Sequence, residues 1–177
     1  MKSVLMTFSI YWLYLVLEDK KEEEVRKYIP RAKDWDKIVK MYAGKNKREL
    51  MRIPKVHREK YRKLMGKVVG EFVNDSTRKG KADNLIQAYY HNDPDKTCLS
   101  DQELVDYANT GKPVYFLHIS DLKIYDKPKE LNEFYKVGKH NACVNGNRTC
   151  YYVREDFCRE CKYSIKRPPQ SWCYIEG

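Results

Sequence analysis

The chain carries none of the short motifs that mark the common enzyme classes. There is no phosphate-binding P-loop, no glycine pattern of a dinucleotide fold, no serine nucleophile elbow and no His-Glu-x-x-His zinc motif. Long apolar runs are missing as well. A membrane helix needs about 20 predominantly apolar residues. The stretch after Lys2 contains Ser3, Thr7 and Ser9 and gives way to Glu18-Asp19-Lys20-Lys21 well before that. No small-residue cleavage site follows it, so a secretory leader is not expected and a cytoplasmic location is. Cysteine is scarce in the first two thirds, where only Cys98 occurs, and no long repeat is present.

What is abundant is positive charge and tyrosine. The 177 residues carry a net charge of +10 with a pI near 9.2, and 15 of them are Tyr. A length of this order fits one domain with an embellishment. The hydrophobic share of 42% argues against global disorder. The charge is concentrated. Between Arg31 and Lys67 stand fourteen Lys/Arg against four acids, an excess equal to the net charge of the whole chain. Trp35, Tyr42 and Tyr61 lie in the same stretch, so cations such as Arg58 and Arg62 and stackable rings are both on offer to RNA or single-stranded nucleic acid. A solvated, charged insertion has the same composition.

Five of the six cysteines, Cys143, Cys150, Cys158, Cys161 and Cys173, fall in the last third. Cys158 and Cys161 have the spacing of half a zinc knuckle, and Cys143 with Cys150 would complete a tetrahedral thiolate set. His140 and Cys173 are substitute ligands. Structural zinc is therefore the one cofactor in view, and reduced thiols on a surface hairpin are the alternative.

Along the chain, Lys2 to Phe8 reads as a strand, Tyr11 to Leu17 as a short buried helix and Glu22 to Tyr28 as a second strand. Lys37 to Tyr42 follows as a strand, Pro54 to Met65 as a basic helix and Lys67 to Val73 as a buried strand with a bulge at Gly70. Asn74 to Thr97 is polar and is expected to be an irregular flap. Ser100-Asp-Gln-Glu103 has capping-box spacing and starts a helix to about Ala108. Val114 to Tyr125 reads as one long, bent strand with His118 near its middle and Pro128 closing it, and Trp172 to Ile175 as a final strand. His118, His57 and His91 are expected to be structural. Many strands with two short helices indicate an α+β fold built on a small β-barrel.

The charge cluster Lys20 to Lys27 directly follows the apolar helix. In a strand, Glu22, Glu24 and Arg26 would share one side, Val25 the other, with Lys21 at the entrance and Lys27 beyond. A lysine, a carboxylate and a guanidinium held together can grip a nucleobase or phosphate, or move protons.

The order strand, short helix, charged strand, with Lys21-x-x-Glu24-x-Arg26 just after the helix, resembles an ASCH domain of the PUA-like superfamily. The signature of that family reads Gly-x-Lys-x-x-Glu-x-Arg, and Asp19 takes the glycine position here. Lys67 to Val73, Val114 to Leu131 with its His-Ile-Ser-Asp-Leu core, and Pro168 to Glu176 are similar to segments of short ASCH-type proteins of bacteria and phages. The resemblance implies a single ASCH/PUA-like domain over 1–177. It would carry a basic insertion at about 30–66, a flap at about 74–97 and a Cys-rich excursion at about 138–166. It also implies a cleft beside the signature strand that binds RNA or modified nucleosides through Lys21, Glu24 and Arg26. Some small members hydrolyse the amide of acylated cytidine, using the motif lysine with a threonine where this chain has Glu24. On that pattern Lys21 and Glu24 would be the catalytic pair of an amidohydrolase, the alternative to a binding module. A phage-type inhibitor that binds a protein partner through its basic insertion is a third reading. None of the three involves a membrane.

Overall fold

The computed structural model describes residues 2–31, 33, 35–108, 112–137 and 163–176. Cys143, Cys150, Cys158, Cys161 and His140 lie outside them. Among the described residues eight strands and six α-helices run in the order β1 Lys2–Phe8, α1 Ile10–Leu17, β2 Glu23–Arg26, β3 Ile38–Ala43, α2 Lys47–Leu50, α3 Arg58–Leu64, β4 Val68–Val73, β5 Thr77–Gly80, α4 Leu85–His91, α5 Pro94–Thr97, α6 Asp101–Ala108, β6 Val114–His118, β7 Ser120–Lys129 and β8 Trp172–Glu176. They form a mixed α+β fold with a five-stranded sheet, β7-β4-β3-β1-β8, and a three-stranded sheet, β2-β6-β5. Among the described residues no ladder joins the two sheets into a closed barrel.

β1, flanked by β3 and β8, is buried on both faces. Val4, Met6 and Phe8 enter one core with α1, while Leu5 enters another with Tyr42, Val68 and Ile175. A strand buried on both sides reads as a continuous apolar run rather than an alternating one. α1 is likewise apolar nearly all round and buries Ile10, Leu13, Tyr14, Leu15 and Val16. β1 pairs parallel with β3 and antiparallel with β8.

The basic stretch enters this core through β3 and, beyond it, through Leu50, Ile53 and Tyr61. Tyr61 of α3 is fully buried, and its hydroxyl donates to Glu18 Oε1 at 2.7 Å at the end of α1. That bond and the Lys60 ammonium, 2.9 Å away, hold the Glu18 carboxyl below its ordinary range. The helix is shorter than its composition suggests. Residues 54–57 form tight turns, with His57 N–H donating to Pro54 O and Arg58 N–H to Lys55 O, before α3 begins.

Two further elements differ from the sequence expectation. The stretch Asn74 to Thr97 is not an irregular flap; it contains β5, α4 and α5. Its polarity follows from position, since β5 is an edge strand and α4 gives only Ala88 to the core. The long strand after Pro113 is two strands in different sheets, broken at Ile119, whose N–H goes instead to Glu22 O. His118 thus ends β6, where its Nδ1 lies 2.7 Å from Asp75 Oδ1. Pro128 does not end β7, which is an edge strand and tolerates a residue without a donor. The register shifts around Gly70, where an added Cβ would come within 2.3 Å of Lys123 O.

α1 ends in a Schellman turn. Asp19 N–H donates to Val16 O at 3.1 Å and Lys20 N–H to Leu15 O at 2.8 Å, with Asp19 at φ 55°. Aspartate here does the work the signature assigns to glycine, because a short polar side chain tolerates the left-handed region. Asp19→Gly should therefore leave the fold intact and its stability equal or higher, whereas Asp19→Val should cost about 1–2 kcal/mol. Chemical denaturation of the two variants checks this; a Val variant as stable as the parent contradicts it.

Candidate ligand cleft

The turn at Asp19 sends the chain back along the open side of α1 and delivers Lys20 to Arg26 to a cleft of about 360 Å³. Its floor is β2, which is pinned on one side by β6 through the pairs Glu24 with Leu117 and Val25 with Phe116. On the other side Glu22 N–H donates to Lys96 O at the end of α5. The expected alternation holds only in part. Glu22 is exposed ahead of the strand, Glu24 and Arg26 face the cleft, and Glu23 turns away to Arg78 of β5, with Arg78 Nε donating to its Oε1 at 3.0 Å. Val25 belongs to the Leu104–Phe116 core and also lines the cleft.

Lys21 is a buried charge with little compensation. It is 4% exposed, and its Nζ donates to Thr97 O at 2.5 Å. Its remaining neighbours are Glu24 Oε2 at 3.8 Å and the Trp12 ring at 5.2 Å. An ammonium has three donors, so burial outweighs the help it receives and lowers its pKa, with Glu24 pulling the other way. Glu24 itself is 6% exposed and sits between two cations, with Arg26 Nη2 at 2.8 Å from Oε1. Arg26 also donates to Thr7 O at 2.8 Å and lies over the Phe8 ring, while its Nε is buried without a partner.

α6, started by the Ser100–Glu103 capping box, supplies the opposite wall with Glu103, Asp106 and Tyr107. Burial pushes the Tyr107 phenol up, and Lys27 Nζ stands 5.0 Å from its ring at the rim. Arg52, from the turn after α2, lies 3.9 Å from the Tyr11 ring centroid and 5.2 Å from that of Trp12, and reaches Glu103 at 3.9 Å. The lining therefore holds two cations, Lys21 and Arg26, against three carboxylates, Glu24, Glu103 and Asp106. With both cations already engaged by Glu24, this is a poor cradle for phosphate. It suits a flat, polar, uncharged or weakly cationic group held between Trp12 and Tyr107.

Of the residues singled out from the sequence, Lys21, Glu24 and Arg26 meet in this cleft and Lys27 borders it. Arg58 is elsewhere, donating to Ile53 O and Met51 O and so closing the turns before its own helix. Arg62 is exposed and paired with Glu59. Trp35 lines a separate cavity. Trp12, Tyr107, Glu103, Asp106 and the Thr97 carbonyl were not anticipated. Trp12 alone had a signal, as the aromatic on the helix just before the charged strand. Cys98 and Cys173 are free thiols; Cys98 Sγ donates to Lys20 O at 2.9 Å. Among the described residues no cluster of His, Cys, Asp or Glu could hold a metal, and no helix is long and apolar enough to cross a membrane.

No protein-family model and no curated protein matches the sequence. The structure does have solved counterparts. It is similar to the crystal structure of the ASCH protein from Zymomonas mobilis, at TM-score 0.56 and 16% identity over 98% of this chain and 87% of that one. A tyrosine-to-phenylalanine variant of the same protein gives TM-score 0.57 and 15% identity, covering 99% and 91% of the two chains. A serine-to-alanine variant gives 0.56 and 15%, covering 98% and 88%. The chain has the ASCH-domain fold.

Removing the Lys21 charge leaves Glu24 still paired with Arg26, so Lys21→Met should be neutral or stabilising by up to about 2 kcal/mol. Glu24→Gln strands two buried cations and should cost about 3 kcal/mol or more. Because the folded-state pKa of Lys21 lies below its unfolded value of 10.5, the unfolded chain binds the extra proton between the two. Stability should then rise with pH across that window and level off at about 10.5. The rise should be absent from Lys21→Met, so that the difference between the parent and the variant isolates it. Denaturation at a series of pH values measures all three; a Lys21→Met variant that loses several kcal/mol contradicts the account.

Proposed function

We propose that the chain is an ASCH-type nucleic-acid-binding module, with its two sheets forming a PUA-like barrel, that takes a base of RNA or a modified nucleoside into the Lys21–Glu24–Arg26 cleft. The observation that carries this is the buried cluster itself, a carboxylate between two cations on the floor of a cleft flanked by Trp12 and Tyr107. Glu24 accepts from an amino or imino group of the base, Lys21 and Arg26 donate to its carbonyl oxygen, and the rings cover its faces. Phosphates stay outside. Lys45, Lys47, Arg48, Lys55, Arg62 and Lys63 are exposed on and around α2 and α3, and Arg52 connects that basic surface to the mouth of the cleft. Base recognition and phosphate attraction are thus carried by different parts of the chain.

This division predicts two salt responses. Binding of single-stranded RNA should weaken with salt at a log–log slope of about 2–3, as three or four neutralised phosphates give. Binding of a free nucleoside should be nearly flat. Lys21→Met and Glu24→Gln should lower nucleoside affinity at least about tenfold, the loss of one to two charge-assisted hydrogen bonds. Titrations followed by fluorescence anisotropy and by tryptophan emission measure both. Salt-independent RNA binding, or unchanged nucleoside affinity in both variants, sinks the proposal.

One observation favours the amidohydrolase reading beside it. A lysine whose pKa is lowered by burial, 3.8 Å from a carboxylate, is a competent base or nucleophile. Incubation with an acylated cytidine decides, and turnover no faster than in Lys21→Ala removes it.

A further inference from the structure

A second cavity, of about 200 Å³, opens where the chain leaves β2. An apolar cavity of about 150 Å³ is large enough to hold benzene, so this one accommodates a six-membered heterocycle. Ile29 and Pro30 form one side, with Trp35, Asn74 and Thr77 around it and Lys37 contributing to the lining. Three features set it apart from an ordinary surface dent.

Asn74 is 5% exposed and fixed in place. Its backbone N–H donates to Lys37 O at 2.8 Å, and its side-chain nitrogen donates to Thr77 Oγ1 at 2.8 Å. Its Oδ1 is nonetheless buried with no partner among the described residues. A lone buried acceptor costs on the order of 1–3 kcal/mol; Asn74 lines the cavity with this oxygen closed to solvent, so an N–H donor relieves it when the Asn74 side chain turns toward the bound ring. Lys37 holds φ 65°, a left-handed conformation that costs a long side chain energy, and its carbonyl accepts the Asn74 N–H beside the cavity. Strain of this kind collects at ligand sites. Trp35, half-buried beside Ile29 and Pro30, offers a flat apolar surface.

A planar ring bearing an N–H donor, next to a negative charge for the exposed Lys37, describes a nucleotide base. We propose that this cavity is a second nucleobase site, filled by a neighbour in the same strand as the base in the Lys21 cleft. It rests on the reading of that cleft. Ile29 follows Arg26 by three residues, a span of at most about 11 Å, so the two sites are close enough for nearby nucleotides of one strand.

The test uses the full chain with nucleoside monophosphates and the matching dinucleotides, followed by affinity and by the NMR signals of the Trp35 indole N–H and the Asn74 side-chain amide. Dinucleotides should bind about tenfold tighter than monophosphates, the gain expected from one stacked base. The Trp35 and Asn74 signals should shift with dinucleotide, and Trp35→Ala should bring dinucleotide affinity down to that of the monophosphate. If Trp12 and Tyr107 signals shift while those of Trp35 and Asn74 stay fixed at saturation, the second site is overturned and the cleft reading stands. Signals that move only at Trp35 and Asn74 overturn the cleft reading and the shared strand. No movement at either place overturns both. Should Trp35→Ala fail to fold, the shift or stillness of the Asn74 amide in the parent chain decides the same question.

Discussion

A lysine ammonium shut away from water with one hydrogen bond is the constraint around which the rest is arranged. Lys21 is tolerable only because Thr97 O and Glu24 stand beside it, and each depends on something further off. Thr97 is held by its own hydroxyl, whose single proton is donated to Asn92 Oδ1 at 2.8 Å, with Asp93 O 3.0 Å away as the competing acceptor, in the connection between α4 and α5. Glu24 is held by Arg26, and Arg26 by the carbonyl of Thr7 in β1. The left-handed Asp19 aims the whole segment. A core built for stability alone would place apolar side chains here. Buried charge beside an open cleft is the observation on which the proposed ligand site rests.

The second organising fact is where the charge is not. The net charge of +10 suggests a basic cleft, yet the cleft is lined by more carboxylates than cations. The excess sits on and around α2 and α3, held to the core by the buried Tyr61 and its bond to Glu18. The basic surface and the cleft are therefore separate places, and Arg52, over Tyr11 and against Glu103, stands between them.

Much of this was legible. β1, α1, β4, α6 and β8 follow from apolar runs, a capping box and a proline-led final strand, all local signals. The trio Lys21, Glu24 and Arg26 was found from its spacing after a short apolar helix. What escaped notice depends on pairing at a distance. β5 is polar because it is an edge, α4 hides only Ala88, and the split of the Val114 to Tyr125 run shows only when Ile119 is seen to bond to Glu22. The helix start at Asp93-Pro94 was a readable signal left unused. Trp12 and Tyr107 could not be assigned to one cleft from sequence, since nothing local says that α1 and α6 face each other. Asp19 holds a left-handed turn of the kind that glycine takes without strain.

The most direct test of the account is a structure of the chain with a nucleoside bound. The ring should lie between Trp12 and Tyr107, with Glu24 accepting a hydrogen bond from it and Lys21 or Arg26 donating to it. A nucleoside seated on the basic surface of α2 and α3, with the cleft left empty, would contradict the claim that the buried trio is the site of recognition.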